Sequence, residues 1–206
     1  KKLPAETDLF RVRERHEDDD WELNEKQMSE PPPEKTSSGR MNPAGISYLY
    51  LAYELETALA EVMIRPPCDA AIAHFVSKRD LSILDLMNLP SKPSLFNSSC
   101  RSELEGILFL ESFASEISKP VQKNGREHIE YVPSQVVAEY FAMLFKDHHG
   151  KNLDGIAYRS SVRPSGRNLV LFPTERCFTR QFDQVTFRHA WEQNFSDWTE
   201  LSDALV

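Results

Sequence analysis

Residues 39–62, GRMNPAGISYLYLAYELETALAEV, contain the patterns that decide the fold. A turn rich in Gly and Pro comes first, and apolar residues alternate with polar ones and tyrosines over 46–52. Alternation of this kind is typical of a half-buried strand, because successive side chains point to opposite faces. One face of the predicted strand then carries Ile46, Tyr48, Tyr50 and Ala52.

Helical spacing follows over residues 54–65 and ends at Pro66 and Pro67. The apolar stripe of this helix consists of Leu55, Ala58, Leu59 and Val62. Glu61 falls off that stripe, on the flank that also holds Glu54 and Thr57. Periodicity alone therefore predicts that Glu61 lies on a solvated face, and a functional role for it requires a cleft along this flank.

The rest of the chain indicates a mixed α+β fold. Strand and helix patterns alternate without the regular βαβ order of a parallel sheet, and strands outnumber helices. Strands are predicted over 8–13, 72–76, 81–87, 128–132, 155–160, 168–172 and 183–188. Further helices are predicted over 102–117 and 133–145.

The length of 206 residues suits a single domain over residues 1–206. Residues 16–38 are acidic and rich in proline, which predicts a long loop that covers a site or recognises a partner. Residues 189–206 form an aromatic C-terminal tail, expected to pack back onto the body. The chain begins with Lys1 rather than methionine, which leaves a preceding domain open.

Composition and charge exclude several classes of protein. The net charge of −8 argues against a nucleic-acid binder that neutralises phosphates. No apolar run approaches the roughly 20 residues that span a bilayer. Three scattered cysteines and no C-x-x-C pair argue against a disulfide framework or a zinc site, so we expect a cytoplasmic protein without a metal.

Common catalytic motifs are missing from the sequence. It contains no phosphate-binding G-x-x-x-x-G-K-[ST], no dinucleotide-binding G-x-G-x-x-G, no H-E-x-x-H and no G-x-S-x-G. What remains is a scattered set of polar residues on otherwise apolar elements, and taken singly each fits an ordinary surface or core position.

Taken together, these residues resemble the RES domain family, which is named for an arginine, a glutamate and a serine. The resemblance runs in order from about residue 8 to residue 173, and its most specific block is GRMNPAG, YLYLA and ETALAEV. YVPSQVVAEYF, GIAYRSS and GRNLVLF follow it. The resemblance implies an ADP-ribosyltransferase-like fold with a split mixed β-core, flanking helices and a cleft for NAD.

Site residues carry over from the family onto this chain position by position. The resemblance implies catalytic roles for Arg11, Glu61 and Ser160, with Ser161 the alternative serine. Arg40, Tyr50 and Tyr48 are expected to bind NAD. Breaking the nicotinamide–ribose bond develops positive charge on the ribose, which a carboxylate can stabilise. Arginines suit the pyrophosphate because the guanidinium fork binds its oxygens bidentately.

The resemblance implies an NAD-consuming toxin, a glycohydrolase or a phosphorylase, for which NAD is a substrate and no cofactor is needed. Two alternatives stay open: a protein ADP-ribosyltransferase, and an inactive module that binds NAD or another nucleotide. Expected partners are NAD, a separate antitoxin and, for a transferase, a protein target. Neither a membrane nor nucleic acid is expected, and the oligomeric state, a homodimer included, stays open.

Overall fold

The computed structural model describes residues 1–15, 25–62, 69–94, 96, 98–119, 127–147 and 149–173. The strands in this part of the chain are β1 (Lys2–Leu3), β2 (Asp8–Arg15), β3 (Leu49–Ala52), β4 (Asp69–Val76), β5 (Leu81–Asp85), β6 (Gly155–Arg159) and β7 (Arg167–Leu171). The α-helices are α1 (Glu25–Met28), α2 (Leu55–Val62), α3 (Arg101–Ile117), α4 (Glu127–Glu130) and α5 (Val132–Glu139). A π-helix (Tyr140–Leu144) continues α5, and 3-10 turns occupy Pro33–Lys35 and Ser98–Cys100.

The seven described strands form one mixed sheet in the order β1-β5-β6-β7-β3-β2-β4. Only β5 and β6 run parallel, and the other neighbours are antiparallel. Strand β2 pairs with β4 over eight residues but meets β3 only at Phe10 and Ala52, so the sheet is split there. The predicted α+β class with a split, mixed β-core is confirmed.

The two faces of the sheet are covered differently. The helix face, which carries Tyr50, Ala52 and Val170, packs against α2, α3 and α5. The opposite face carries Leu49, Leu51 and Leu169 and packs around Met28 of α1. Strands β6 and β7 lie in the middle of the sheet, which explains their nearly continuous apolar sequences.

One prediction about the elements is wrong, and others cannot be compared. Residues 128–132 were expected to form a strand, but they belong to α4 and to the start of α5. Ile129 is exposed there, and the sheet of the described strands offers this segment neither a partner nor a buried face. The predicted strand 183–188, the aromatic tail and part of the acidic loop lie outside the described residues. Within those residues, every helix is too short or too polar to cross a membrane.

Candidate active site

The flank of α2 that carries Glu54, Thr57 and Glu61 faces the turn between β6 and β7. Thr57 is fully buried, and a Cβ built on Gly166 would lie only 2.8 Å from its Cγ2 and Oγ1 atoms. The absent side chain of Gly166 therefore permits α2 to approach the turn. Periodicity placed Glu61 on a solvated face, and Glu61 is exposed, but Thr57 on the same flank of α2 is fully buried.

Two buried side chains hold one oxygen of the Glu61 carboxylate. The Ser160 hydroxyl donates to Glu61 Oε1 at 2.7 Å, and Asn168 Nδ2 donates to the same oxygen at 2.6 Å. Ser160 is 7% exposed and Asn168 is 3% exposed. Glu61 Oε2 makes no hydrogen bond to the described residues. The carboxylate is thus fixed in direction through one oxygen, while the other oxygen remains available for a ligand.

Ser160 also closes the turn that follows β6. Its Oγ accepts hydrogen bonds from the backbone N–H groups of Val162 and Arg163, at 3.2 and 3.1 Å. The backbone N–H of Ser160 donates to the Gly166 carbonyl at 2.9 Å. Ser161 makes no hydrogen bond within the described chain. Of the two serines that the sequence left open, Ser160 is therefore the one in contact with Glu61.

A second set of contacts attaches the same turn to α2. Arg163 Nη1 donates to Thr57 Oγ1 at 3.1 Å, and the Thr57 hydroxyl donates to Glu54 Oε2 at 3.0 Å. Glu54 also accepts from Arg167, through Nε at 2.6 Å and the backbone N–H at 3.1 Å. These bonds fix the spacing between helix and turn, and hence the position of Ser160 beside Glu61.

Tyr50 is held by the Gly-Arg turn that precedes its strand. Its hydroxyl donates to Asn42 Oδ1 at 2.8 Å and accepts from the Met41 backbone N–H at 3.2 Å. Gly39 lies so close to Asn42 that a Cβ built on the glycine would be only 2.3 Å from Asn42 Oδ1. From α5, Gln135 Nε2 donates to the carbonyls of Gly39 and Asn42, at 2.7 and 3.1 Å. The turn is therefore rigidly placed.

Arg40 projects from this turn towards the end of α3, where its Nη1 donates to the carbonyl of Ile117, the last residue of that helix. A cation is favoured at a helix C-terminus. Burial raises the pKa of Tyr158 well above its ordinary value; Tyr50 and Glu61 raise it further, while Arg40 opposes the rise. Arg40, Tyr50 and Glu61 thus each lie within electrostatic reach of Tyr158 on the helix face.

The structure does not bring Arg11 to this group. On β2, Arg11 alternates with Phe10 and Val12, which pack towards α2, so its side chain lies on the opposite face of the sheet. There its Nη1 donates to the carbonyls of Met28 and Ser29, at 3.1 and 2.5 Å. Burial, and then repulsion by Arg13, lowers the pKa of Arg11 to about 10.

Tyr48 is a core residue rather than a wall of the site. It precedes β3, is 3% exposed and packs edge-on against Phe172 at a centroid distance of 5.4 Å. Burial raises its pKa, and the nearby Glu139 adds to that rise. Of the two tyrosines that the sequence placed on one face, Tyr50 is therefore the one beside Arg40 and Tyr158.

Sequence reasoning missed Asn168, which is the second residue that holds Glu61. A polar side chain at the start of the apolar stretch NLVLF was the available signal, because a central strand rarely buries an amide without a specific partner. The Oδ1 atom of Asn168 is also buried and has no hydrogen-bond partner among the described residues. Thr57, Tyr158 and Arg163 were missed as well, since their roles depend on the approach of the turn to α2.

Comparison with known proteins identifies the family. The family model described as RES domain matches residues 8–195 of the 206-residue chain. This range includes Glu61, Ser160, Asn168 and Arg40. A search of curated proteins finds no match to the chain. The chain therefore belongs to the RES domain family, whose domains are in general NAD-acting toxin domains with an ADP-ribosyltransferase-like fold.

Proposed function

We propose that this chain cleaves the nicotinamide–ribose bond of NAD and passes the ADP-ribose to water or phosphate. The observation that carries the proposal is the Glu61 carboxylate, fixed through Oε1 by Ser160 and Asn168 and open at Oε2. A carboxylate so restrained needs little reorganisation to stabilise the positive charge that develops on the ribose. Its free oxygen can hold a ribose hydroxyl or orient the attacking nucleophile.

The remaining residues fit the other parts of NAD. One guanidinium nitrogen of Arg40 donates to the carbonyl of Ile117, so the other N–H groups of Arg40 are available to the pyrophosphate. Tyr50 supplies an aromatic ring for the nicotinamide, and the hydrogen bonds of its hydroxyl hold that ring in place. In this proposal the arginine that meets NAD is Arg40, while Arg11 supports the segment around Met28.

The biological role that we propose is that of a toxin controlled by a separate antitoxin protein. Removal of NAD stops growth, so a chain of this kind is tolerated only when a partner covers or blocks its site. Expression of the chain should therefore inhibit growth, and the inhibition should disappear when Glu61 is changed to Gln.

The Glu61→Gln variant is the direct test of the chemistry. The glutamine oxygen can still accept from Ser160 and Asn168, so the fold is preserved while the negative charge is lost. We expect the rate of nicotinamide release from NAD to fall at least ~100-fold, with NAD affinity changed only a few-fold. The matched control is Glu56→Gln, which is also exposed on the same helix but makes no hydrogen bond to the described residues.

The acceptor is identified by changing what is supplied with NAD. Water alone gives ADP-ribose, added phosphate gives a phosphorylated ADP-ribose if the chain is a phosphorylase, and labelled NAD with a cell extract reveals transfer to protein. The proposal fails if no acceptor supports nicotinamide release, or if Glu61→Gln releases nicotinamide as fast as the unchanged chain. NAD binding without release would instead establish the inactive binding module.

A further inference from the structure

A cavity of about 400 Å³ opens on the face of the sheet opposite Glu61. Its walls include Ala157 and Ile83 of the central strands, and Tyr53 and Ser165 at its edge. The alternation of β6 and β7 separates it from the candidate active site, because Arg159 and Arg167 point to the cavity side while Asn168 points to Glu61. The volume lies within the range of about 300–1,000 Å³ that is usual for small-molecule sites.

Positive charge dominates the walls of this cavity. Four basic residues line it against a single acid: Lys1, Lys2, Arg159 and Arg167 against Asp85. The chain as a whole carries a net charge of −8, so this local excess runs against the overall balance. A basic cavity in an acidic protein attracts anions selectively, because its walls focus the local potential.

The two arginines are directly opposite each other in the sheet. Arg159 of β6 and Arg167 of β7 are cross-strand partners, and like charges in such a pair destabilise the sheet. Glu54 compensates Arg167 through Oε1 at 2.6 Å, and the Arg167 guanidinium lies 4.9 Å from the ring centre of Tyr53. The Arg159 guanidinium has no hydrogen-bond or ion-pair partner among the described residues.

Asp85 does not neutralise Arg159, because its oxygens are already in use. They accept from Lys1 Nζ at 2.8 Å, and from Asn88 Nδ2 and the Met87 backbone N–H at 3.0 Å each. Burial alone would raise the pKa of Asp85, but these hydrogen bonds outweigh it and lower the pKa. The carboxylate is therefore a structural part of the wall, and the cavity keeps two basic side chains without an acidic partner among the described residues, Lys2 and Arg159.

We infer that this cavity binds the phosphate group of a small molecule, with Arg159 as its main anchor. A guanidinium fork binds two phosphate oxygens at once, and Arg167 and the Ser165 hydroxyl lie on the same wall. Tyr53 is covered by Arg167, so the recognition is of phosphate rather than of a stacked base. The site is separate from the proposed NAD-cleaving site, since it lies on the other face of the sheet, and among the described residues the two share only Arg167, which also holds Glu54.

Calorimetric titration of the purified chain at low ionic strength tests this site, with inorganic phosphate, AMP and adenosine as separate ligands. We expect saturable binding of phosphate and AMP and none of adenosine. Arg159→Gln should weaken both at least ~10-fold, because it removes a charged, bidentate contact. Arg101→Gln, at another exposed arginine that pairs with Glu105 on α3, should change affinity less than ~2-fold. Glu61→Gln should leave the binding of phosphate intact.

Thermal unfolding adds a readout that does not depend on NAD. Without phosphate, Arg159→Gln should be slightly more stable than the unchanged chain, because repulsion from Arg167 is relieved. With phosphate, the unchanged chain should gain more stability than Arg159→Gln. Tighter binding of AMP than of phosphate would identify a phosphomonoester as the ligand, and equal binding would identify the free ion. The inference is overturned if neither ligand binds, if Arg159→Gln binds both normally, or if Glu61→Gln abolishes binding.

Discussion

Replacing Gly166 with alanine tests the contact that brings the β6–β7 turn to helix α2. The new Cβ would lie 2.8 Å from Thr57 Cγ2, 2.8 Å from Thr57 Oγ1 and 2.9 Å from Ser160 Cβ. Thr57 is fully buried and Ser160 is nearly so, which leaves neither of them free to turn away. The turn and the helix must therefore separate by several tenths of an ångström.

The magnitude follows from the atoms involved. Overpacking of this kind typically costs about 1–3 kcal/mol of unfolding free energy. Two of the three close atoms belong to Thr57, so Thr57→Ala should remove most of the clash while it loses the hydroxyl contacts to Glu54 and Arg163. We expect the double variant to be more stable than the sum of the single changes predicts, by about 1 kcal/mol.

Urea denaturation of the unchanged chain, the two single variants and the double variant measures this coupling directly. Gly106→Ala is the control, because a Cβ at that position on α3 meets nothing within 4 Å. It should raise stability by about 0.5–1 kcal/mol, as expected for glycine inside a helix. Costs of Gly166→Ala and Thr57→Ala that add to within about 0.5 kcal/mol would refute the reasoning. Gly166→Ala should also lower nicotinamide release at least ~10-fold, because Ser160 moves away from Glu61.

Three further predictions concern single contacts. Asn168→Asp places a second carboxylate beside Glu61 Oε1, so nicotinamide release should fall at least ~10-fold, as followed by chromatography, with a loss of about 1–3 kcal/mol in urea denaturation. Gly39→Ala drives a Cβ against the Asn42 oxygen that holds Tyr50, and a clear drop in melting temperature is expected. The lowered pKa of Asp85 stabilises the fold above the unfolded-state pKa of about 3.9, so the stability advantage over Asp85→Asn should shrink as the pH falls below about 4 and through the lowered pKa of the folded state.

Each of these predictions has its own contrary outcome. Full activity of Asn168→Asp would show that Glu61 does not depend on the amide. An unchanged melting temperature for Gly39→Ala would mean that the turn adjusts without cost. The difference in unfolding free energy between the unchanged chain and Asp85→Asn could instead stay constant from pH 7 to pH 3. That result would show that the Asp85 carboxylate does not contribute to the pH dependence of stability.

Local patterns in the sequence were sufficient for the elements whose environment matches their periodicity. Strand β3 and helix α2 followed from alternation and from the spacing of Leu55, Ala58 and Leu59, because each element buries one face against the core. The same reasoning gave the wrong element for residues 128–132. The short apolar alternation of this segment resembles a strand, but only a neighbouring strand could have made it one, and Ile129 is exposed on a helix instead.

The ordered motifs determined the family, alternation placed Tyr50 and Ala52 on one face of a strand, and helical spacing placed Glu61 off the apolar stripe of α2. Tertiary structure decided which residues meet Glu61. Ser160 and Asn168 lie 99 and 107 residues along the chain from it, and only the return of β7 beside β3 brings them together. The sheet also puts the Arg11 side chain on the face opposite Glu61. Arg40, in the turn before β3, lies on the same side as Glu61. Periodicity assigns a side chain to a face of its own element, whereas the packing of distant elements determines which faces meet.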